Sequence, residues 1–134
     1  MAVGGLGDPH IDRDDPAATA WQPSQGEPSA LRLGVVHAPY RRALEALGAG
    51  GADLVLTGHT HGGQVRLPGV GALTTNSDLR TAQARGLSRL DVASRRPWLH
   101  VSAGIGAART SPPRFFCRPE ATLIDVVPPT GEGD

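Results

Sequence analysis

The stretch from Leu54 to Gln64, LVLTGHTHGGQ, constrains this chain more than any other. Leu54, Val55 and Leu56 form a short apolar run of the kind a parallel sheet buries on both faces. Gly58 then allows the backbone to turn at the strand's carboxyl end, and His59 and His61 follow at once. Open α/β sheets take ligands in the crevice beyond the carboxyl ends of their strands, so two imidazoles there are placed for metal chemistry. A second apolar run, in LGVVHAP, ends at His37, and Pro39 stops it from continuing. Between the two runs Tyr40, Ala43, Leu44 and Leu47 fall at i, i+3, i+4 and i+7, and Gly48, Gly50 and Gly51 end the helix this spacing predicts. A right-handed crossover makes the two strands of such a unit parallel, which brings His37 and His59 to one edge of the sheet.

GHTHGGQ, preceded by a strand that ends in a histidine, resembles the calcineurin-like metallophosphoesterases. The likeness is strongest to their bacterial branch, in which a Gln-Val-Leu-Pro-Gly-like hairpin follows; here it reads QVRLPG, Gln64 to Gly69. VSAGIG, Val101 to Gly106, and RFFCRPEATLIDVV, Arg114 to Val127, also resemble the tail of that branch, so the likeness runs over roughly residues 3 to 128. The resemblance implies an α/β fold with α+β-like mixed sheets, half of a two-sheet metallophosphoesterase sandwich, in which the βαβ unit carries the histidines. It also implies two divalent metal ions, Mn, Fe or Zn, with His37 and His59 ligating one and His61 the other.

The family's other ligands come from an Asp-x-His, a Gly-Asp-x-x-Asp and a Gly-Asn-His motif, and neither of the last two occurs in this sequence. The resemblance is therefore to the carboxyl-terminal half. Its implication is a metal-dependent phosphoester hydrolase in truncated form, acting on a phosphoester substrate and holding at most one metal ion. The alternative is a non-catalytic metal-binding or partner-binding remnant, with the missing amino-terminal half as a partner. Whether the chain is itself an enzyme stays open, and no catalytic residue is identified in it. Asp8-Pro9-His10 has the letters of the first motif but a glycine-broken strand in front of it. It reads as a strand end followed by an acidic loop, with Asp12, Asp14 and Asp15 as turn or cap residues, or else as two further ligands.

Composition agrees with a partial domain. Residues 1–30 are acidic and proline-rich and make poor core material, which leaves 31–128 to build the hydrophobic layer and 129–134 as a flexible tail. Gly 18 and Pro 12 point to many turns around short strands, with Leu87 to Val92, Trp98 to Ser102 and Ala121 to Val127 as further strands. The formal net charge is +0 and the arginines are scattered, so nothing recruits nucleic acid. No run of 18 apolar residues is present, so no transmembrane segment is expected and the chain reads as cytoplasmic, from a parent that is exported or membrane-associated in some relatives.

The remaining residues with chemistry are candidates of a second kind. Asn76 sits in a turn that could face the histidines, and Arg109 and Arg114 could meet a substrate phosphate, since a guanidinium fits phosphate oxygens bidentately. Salt bridges to Glu120 or Asp125 are the alternative for the arginines. His100 alternates with apolar residues and reads as an exposed or cross-strand residue. Cys117, the one cysteine, reads as a small core residue and excludes an intrachain disulfide. Metallo-β-lactamase-like hydrolases require Asp and His where this chain has Gly63 and Gln64.

Overall fold

The computed structural model describes residues 1–15, 17, 31–92, 95–107, 110 and 112–127. Trp21, Arg109 and the segment 129–134 lie outside them.

Four short strands run parallel: β1 (Ala2–Gly5), β2 (Arg32–Val35), β3 (Leu54–Thr57) and β7 (Trp98–Val101), adjacent in that order. β6 (Gly86–Arg89) closes the five-stranded sheet by pairing antiparallel to β7. A separate hairpin, β4 (Arg66–Leu67) with β5 (Gly71–Ala72), realises the turn expected in QVRLPG. The fold is thus mixed α/β, as expected.

Helix α1 (Arg41–Ala49) connects β2 to β3. Its first backbone amide is capped from a distance, since Arg41 N donates to Asp78 Oδ1 at 2.8 Å, and Gly51 takes the left-handed φ of +100° just past its end. Ala43, Leu44 and Leu47 point at the sheet and are at most 1 % exposed. They meet Val36, Val55, Leu99 and Val101 in one core that also takes in Leu79, Leu90 and Val92. The pairing registers Val55↔Leu99 and Thr57↔Val101 put these side chains on the helix-covered face, because successive residues of a strand alternate sides.

The opposite face carries the alternate rows, Val3, Leu33, Leu54 and Trp98, and Val35, Leu56, His100 and Leu87. Among the described residues no helix lies over it, and Val3, Val35, Leu87 and Trp98 are 40–57 % exposed. The segment Ile124–Val127 runs beside part of this face and with Leu54, Leu87 and Trp98 lines a pocket of about 330 Å³.

Several expectations meet the structure here. Ala121 to Val127 is not a strand: both sides of β7 are taken, by β3 and β6, and the segment lies beside the open face of the sheet near Leu87 and Trp98 rather than in a ladder. The strand end expected before Asp8 is present as Ala2–Gly5 despite its glycines, because an edge strand needs a ladder on one side only and Leu6 N continues it to Val35 O at 3.0 Å. His100 does stand opposite Leu56 and Leu87, but it is 7 % exposed rather than solvated. The left-handed backbone after β3 falls on His59 (φ +66°) and His61 (φ +50°), just beyond the turn expected at Gly58.

Candidate metal centre

Three consecutive parallel strands empty at the same edge of the sheet, and each exit loop carries a histidine: His10 after β1, His37 after β2 and His59 after β3. The ends of β2 and β3 are tied through one atom, the carbonyl oxygen of His37, which accepts from Thr57 Oγ1 at 2.9 Å and from Gly58 N at 3.0 Å. That tie brings the two rings together. His59 Nδ1 lies 3.1 Å from His37 Nε2, and the ring planes meet edge to face. His59 Nε2 lies 3.1 Å from both the backbone oxygen and the side-chain Nδ2 of Asn76.

Asp8 caps the single turn Pro9–Ile11 by accepting from His10 N at 2.9 Å. The turn sets the His10 ring 4.6 Å from the His59 ring, with Nδ1 held by Tyr40 Oη at 2.9 Å. Arg42 on α1 fastens the following loop by donating to Pro9 O, Asp12 and Asp14. The Arg42 hydrogen bond holds the Asp14 carboxyl below its ordinary range. Asp8-Pro9-His10 has only the letters of a ligand motif in the sequence; the signal that finds His10 is topological, a histidine shortly after each of the three neighbouring parallel strands β1, β2 and β3.

The His59–Gln64 loop is held in an unusual backbone state. His59, His61, Gly62, Gly63 and Gln64 all have positive φ, and for a residue with a Cβ this costs roughly 1–2 kcal/mol. The loop is fixed from outside. Thr60 Oγ1 donates to Ala84 O at 2.7 Å, Arg66 to Gly62 O at 3.0 Å, and Cys117 Sγ to His61 O at 3.3 Å. Arg114 donates to the carbonyls of His61, Ala103, Gly104 and Gly106. Its guanidinium thus pins the histidine loop to the exit of β7, and no carboxylate shares it among the described residues. Glu120 pairs with Arg85 instead, at 3.6 Å. A Cβ on Gly62 would stand 2.7 Å from Cys117 Sγ, so this glycine permits the close approach as well as the φ.

His61 stands apart from the His37–His59 contact: its Nδ1 meets Gln64 Oε1 at 2.9 Å, and Gln64 Nε2 in turn donates to Pro112 O. His59, His61, Gln64, Thr75, Asn76 and Pro112 line a cleft of about 310 Å³. Burial, the neighbouring His10 and, to a smaller degree, His37 push the His59 imidazole below its ordinary pKa, against the opposing pull of the Asn76 carbonyl and the Asp8 charge. A neutral imidazole is the form that binds metal.

Among known proteins, the chain is similar to Phosphodiesterase YaeI of Escherichia coli (strain K12), 31 % identical over 105 residues. The likeness covers 78 % of this chain and 36 % of that protein, so the chain spans about a third of the length of the curated relative it matches. No family model matches, and no solved structure does. The chain is therefore a distant relative of a phosphodiesterase, consistent with a metallophosphoesterase family. No helix among the described residues is long and apolar enough to cross a membrane.

Proposed function

We propose that this chain carries the histidine side of a metal-dependent phosphoester hydrolase, with His37, His59 and His61 as its metal-ligating residues. The observation that supports this best is the 3.1 Å approach of His37 Nε2 to His59 Nδ1 at the carboxyl ends of two parallel strands. Two nitrogens bound to one ion at about 2.0–2.1 Å stand about 2.9–3.4 Å apart in octahedral or tetrahedral sites, so this pair fits adjacent positions on a single cation. When bound, a divalent ion such as Mn, Fe or Zn supplies a Lewis acid and a water that ionises near neutral pH. The chain's own part is to present neutral imidazoles, hold their ring orientation and offer the cleft in which Asn76 and the two loop histidines face a phosphoester.

A second reading, a non-catalytic metal-binding remnant, is favoured by a specific observation: among the described residues no three or more His, Cys, Asp or Glu side chains are gathered as a ligand set. A second metal ion needs carboxylates to offset its charge, and in the family those stand in motifs that this sequence lacks. We expect the chain to hold at most one ion and to turn over slowly, because an absent general acid alone lowers rates by about 10²- to 10⁴-fold.

The test is hydrolysis of bis-(p-nitrophenyl) phosphate with added manganese, run beside a calorimetric manganese titration for the chain and for His59→Ala. Slow turnover lost in His59→Ala supports the hydrolase. Binding that is lost in His59→Ala without turnover selects the remnant, and absence of binding overturns both readings.

A further inference from the structure

Two contacts converge on Nε2 of His59, and the one to a backbone oxygen, whose role is fixed, carries the assignment of its proton. Nε2 is 3.1 Å from the Asn76 backbone oxygen, which can only accept, so that contact requires hydrogen on Nε2. Nε2 is also 3.1 Å from Asn76 Nδ2, which can only donate. A half-turn of the amide removes the conflict by bringing Oδ1 to the same N–H, so that both oxygens of Asn76 serve one proton. A neutral imidazole has a single N–H. Nδ1 is then left as a bare lone pair, facing His37 Nε2 at 3.1 Å.

We propose that Asn76 is a positioning residue that sets the tautomer of His59 and so commits Nδ1 to ligation. This rests on the reading of His59 as a metal ligand. It gives Asn76 a role in orienting the ring, distinct from the substrate contact its place in the sequence suggested. The backbone conformation is what aims the carbonyl: Asn76 has φ +51°, a left-handed value that asparagine and glycine accept and β-branched residues resist. The turn around it is stiff. Thr75 is 3 % exposed, and its hydroxyl donates to Ser77 O at 3.1 Å and approaches Leu79 O at 3.2 Å, while Ser77 Oγ lies 3.0 Å from Thr75 Oγ1. Asn76 N donates to Thr74 Oγ1 at 3.3 Å. In the metal-free chain His37 Nε2–H donates to the bare His59 Nδ1. His37 and His59 would hold a cation as neutral rings: for both facing nitrogens to offer lone pairs, His37 would carry its proton on Nδ1 instead, an exchange through solvent that leaves its charge unchanged.

Long-range ¹H–¹⁵N correlation on the ¹⁵N-histidine-labelled full chain, at about pH 8 where imidazoles are neutral, reads the tautomer directly. His59 is assigned by its loss in His59→Gln. The expected pattern is a protonated Nε2 and a bare Nδ1 in the wild type and in Asn76→Gly, which keeps the left-handed backbone, and a mixture of both tautomers in Asn76→Val. A protonated Nδ1 in the wild type, or an unchanged pattern in Asn76→Val, overturns the proposal, and the wild-type spectrum decides even if the valine variant does not fold. In cobalt(II) titrations followed by visible absorbance, Asn76→Gly, which keeps the backbone oxygen and loses only Oδ1, should bind more weakly than the wild type but more tightly than Asn76→Val. Asn76→Val should bind about 10- to 100-fold more weakly, the usual effect of losing a ligand's orienting partner. Equal cobalt affinity in all three overturns the positioning role. No cobalt binding by the wild type, with the expected tautomer intact, instead removes the metal reading on which that role depends.

Discussion

The face of the sheet under α1 and the histidine edge at its strand ends are held together in opposite ways. Under the helix Leu44, Leu47, Val55, Leu99 and Val101 are fully buried, no polar contact is needed, and the backbone is regular. At the edge the rings are exposed or half-buried, the backbone is left-handed at His59, His61 and Gln64, and the holding is done by donors aimed at carbonyl oxygens, from Thr57, Thr60, Arg66, Arg114 and Cys117. Dispersion and burial are indifferent to small changes of direction, whereas hydrogen bonds fix it. A layer that has only to exclude water can be built from apolar residues of suitable volume, but a pair of nitrogens 3.1 Å apart has to be pinned.

This difference can be broken at either side. The largest effect is expected from Leu47→Ala under the helix, a loss of about 2–5 kcal/mol from cavity formation. Urea unfolding should show it as an earlier midpoint, with the transition affecting the whole domain; a loss below about 1 kcal/mol would mean that the face collapses around the gap. Arg114→Ala at the edge strands several carbonyls and is expected to lose about 1–3 kcal/mol. Its signature should be local, with faster amide hydrogen exchange at Gly63 and Gln64 while the Val55 and Leu99 amides stay protected. Uniform acceleration across the sheet would show that the pin supports the core as well.

Much of the covered face was legible in the sequence, because its signals are periodic and local. The i, i+3, i+4, i+7 set of α1 and the apolar runs before His37 and His59 place β2, α1 and β3 to within a residue or two. The hairpin that follows GHTHGGQ was equally visible. What escaped was set by neighbours distant in the chain. That Ala2–Gly5 holds as a strand despite its glycines depends on the edge offered by β2, and nothing in the alternation of Ala121–Val127 says that this segment joins no ladder. At the site, His37 and His59 were legible as partners. The His10 approach needed the docking of β1, and the use of Arg114 as a carbonyl clamp needed the fold of the loop around it.

The smallest expected effect concerns the lock between the β1 exit loop and α1. Asp14 has its folded pKa lowered, chiefly by the hydrogen bond from Arg42, so the folded state binds fewer protons than the unfolded chain in the window between the two values. The stability it contributes is fully present above the unfolded carboxyl value, about 3.9, and is lost as pH falls through the lower folded value. Asp14→Asn should therefore be less stable than the wild type at pH 6, and the gap should close in acid. A gap independent of pH in chemical denaturation would assign the lock to shape rather than charge.

The left-handed histidines have a consequence for which substitutions selection would tolerate. Judged by folding alone, His59 and His61 sit where glycine or asparagine is the cheaper residue, so random drift should push these positions away from histidine. His61→Gly, for example, should leave the melting temperature unchanged or raise it, by up to about 1 kcal/mol of relief offset by the lost Gln64 contact. A library of variants sorted only for folding would then fill both positions with small residues, and one sorted for ligand capture would restore imidazole. Opposite enrichments at one codon are the mark of a position kept for what it binds, and the same library would show no such split at Leu47.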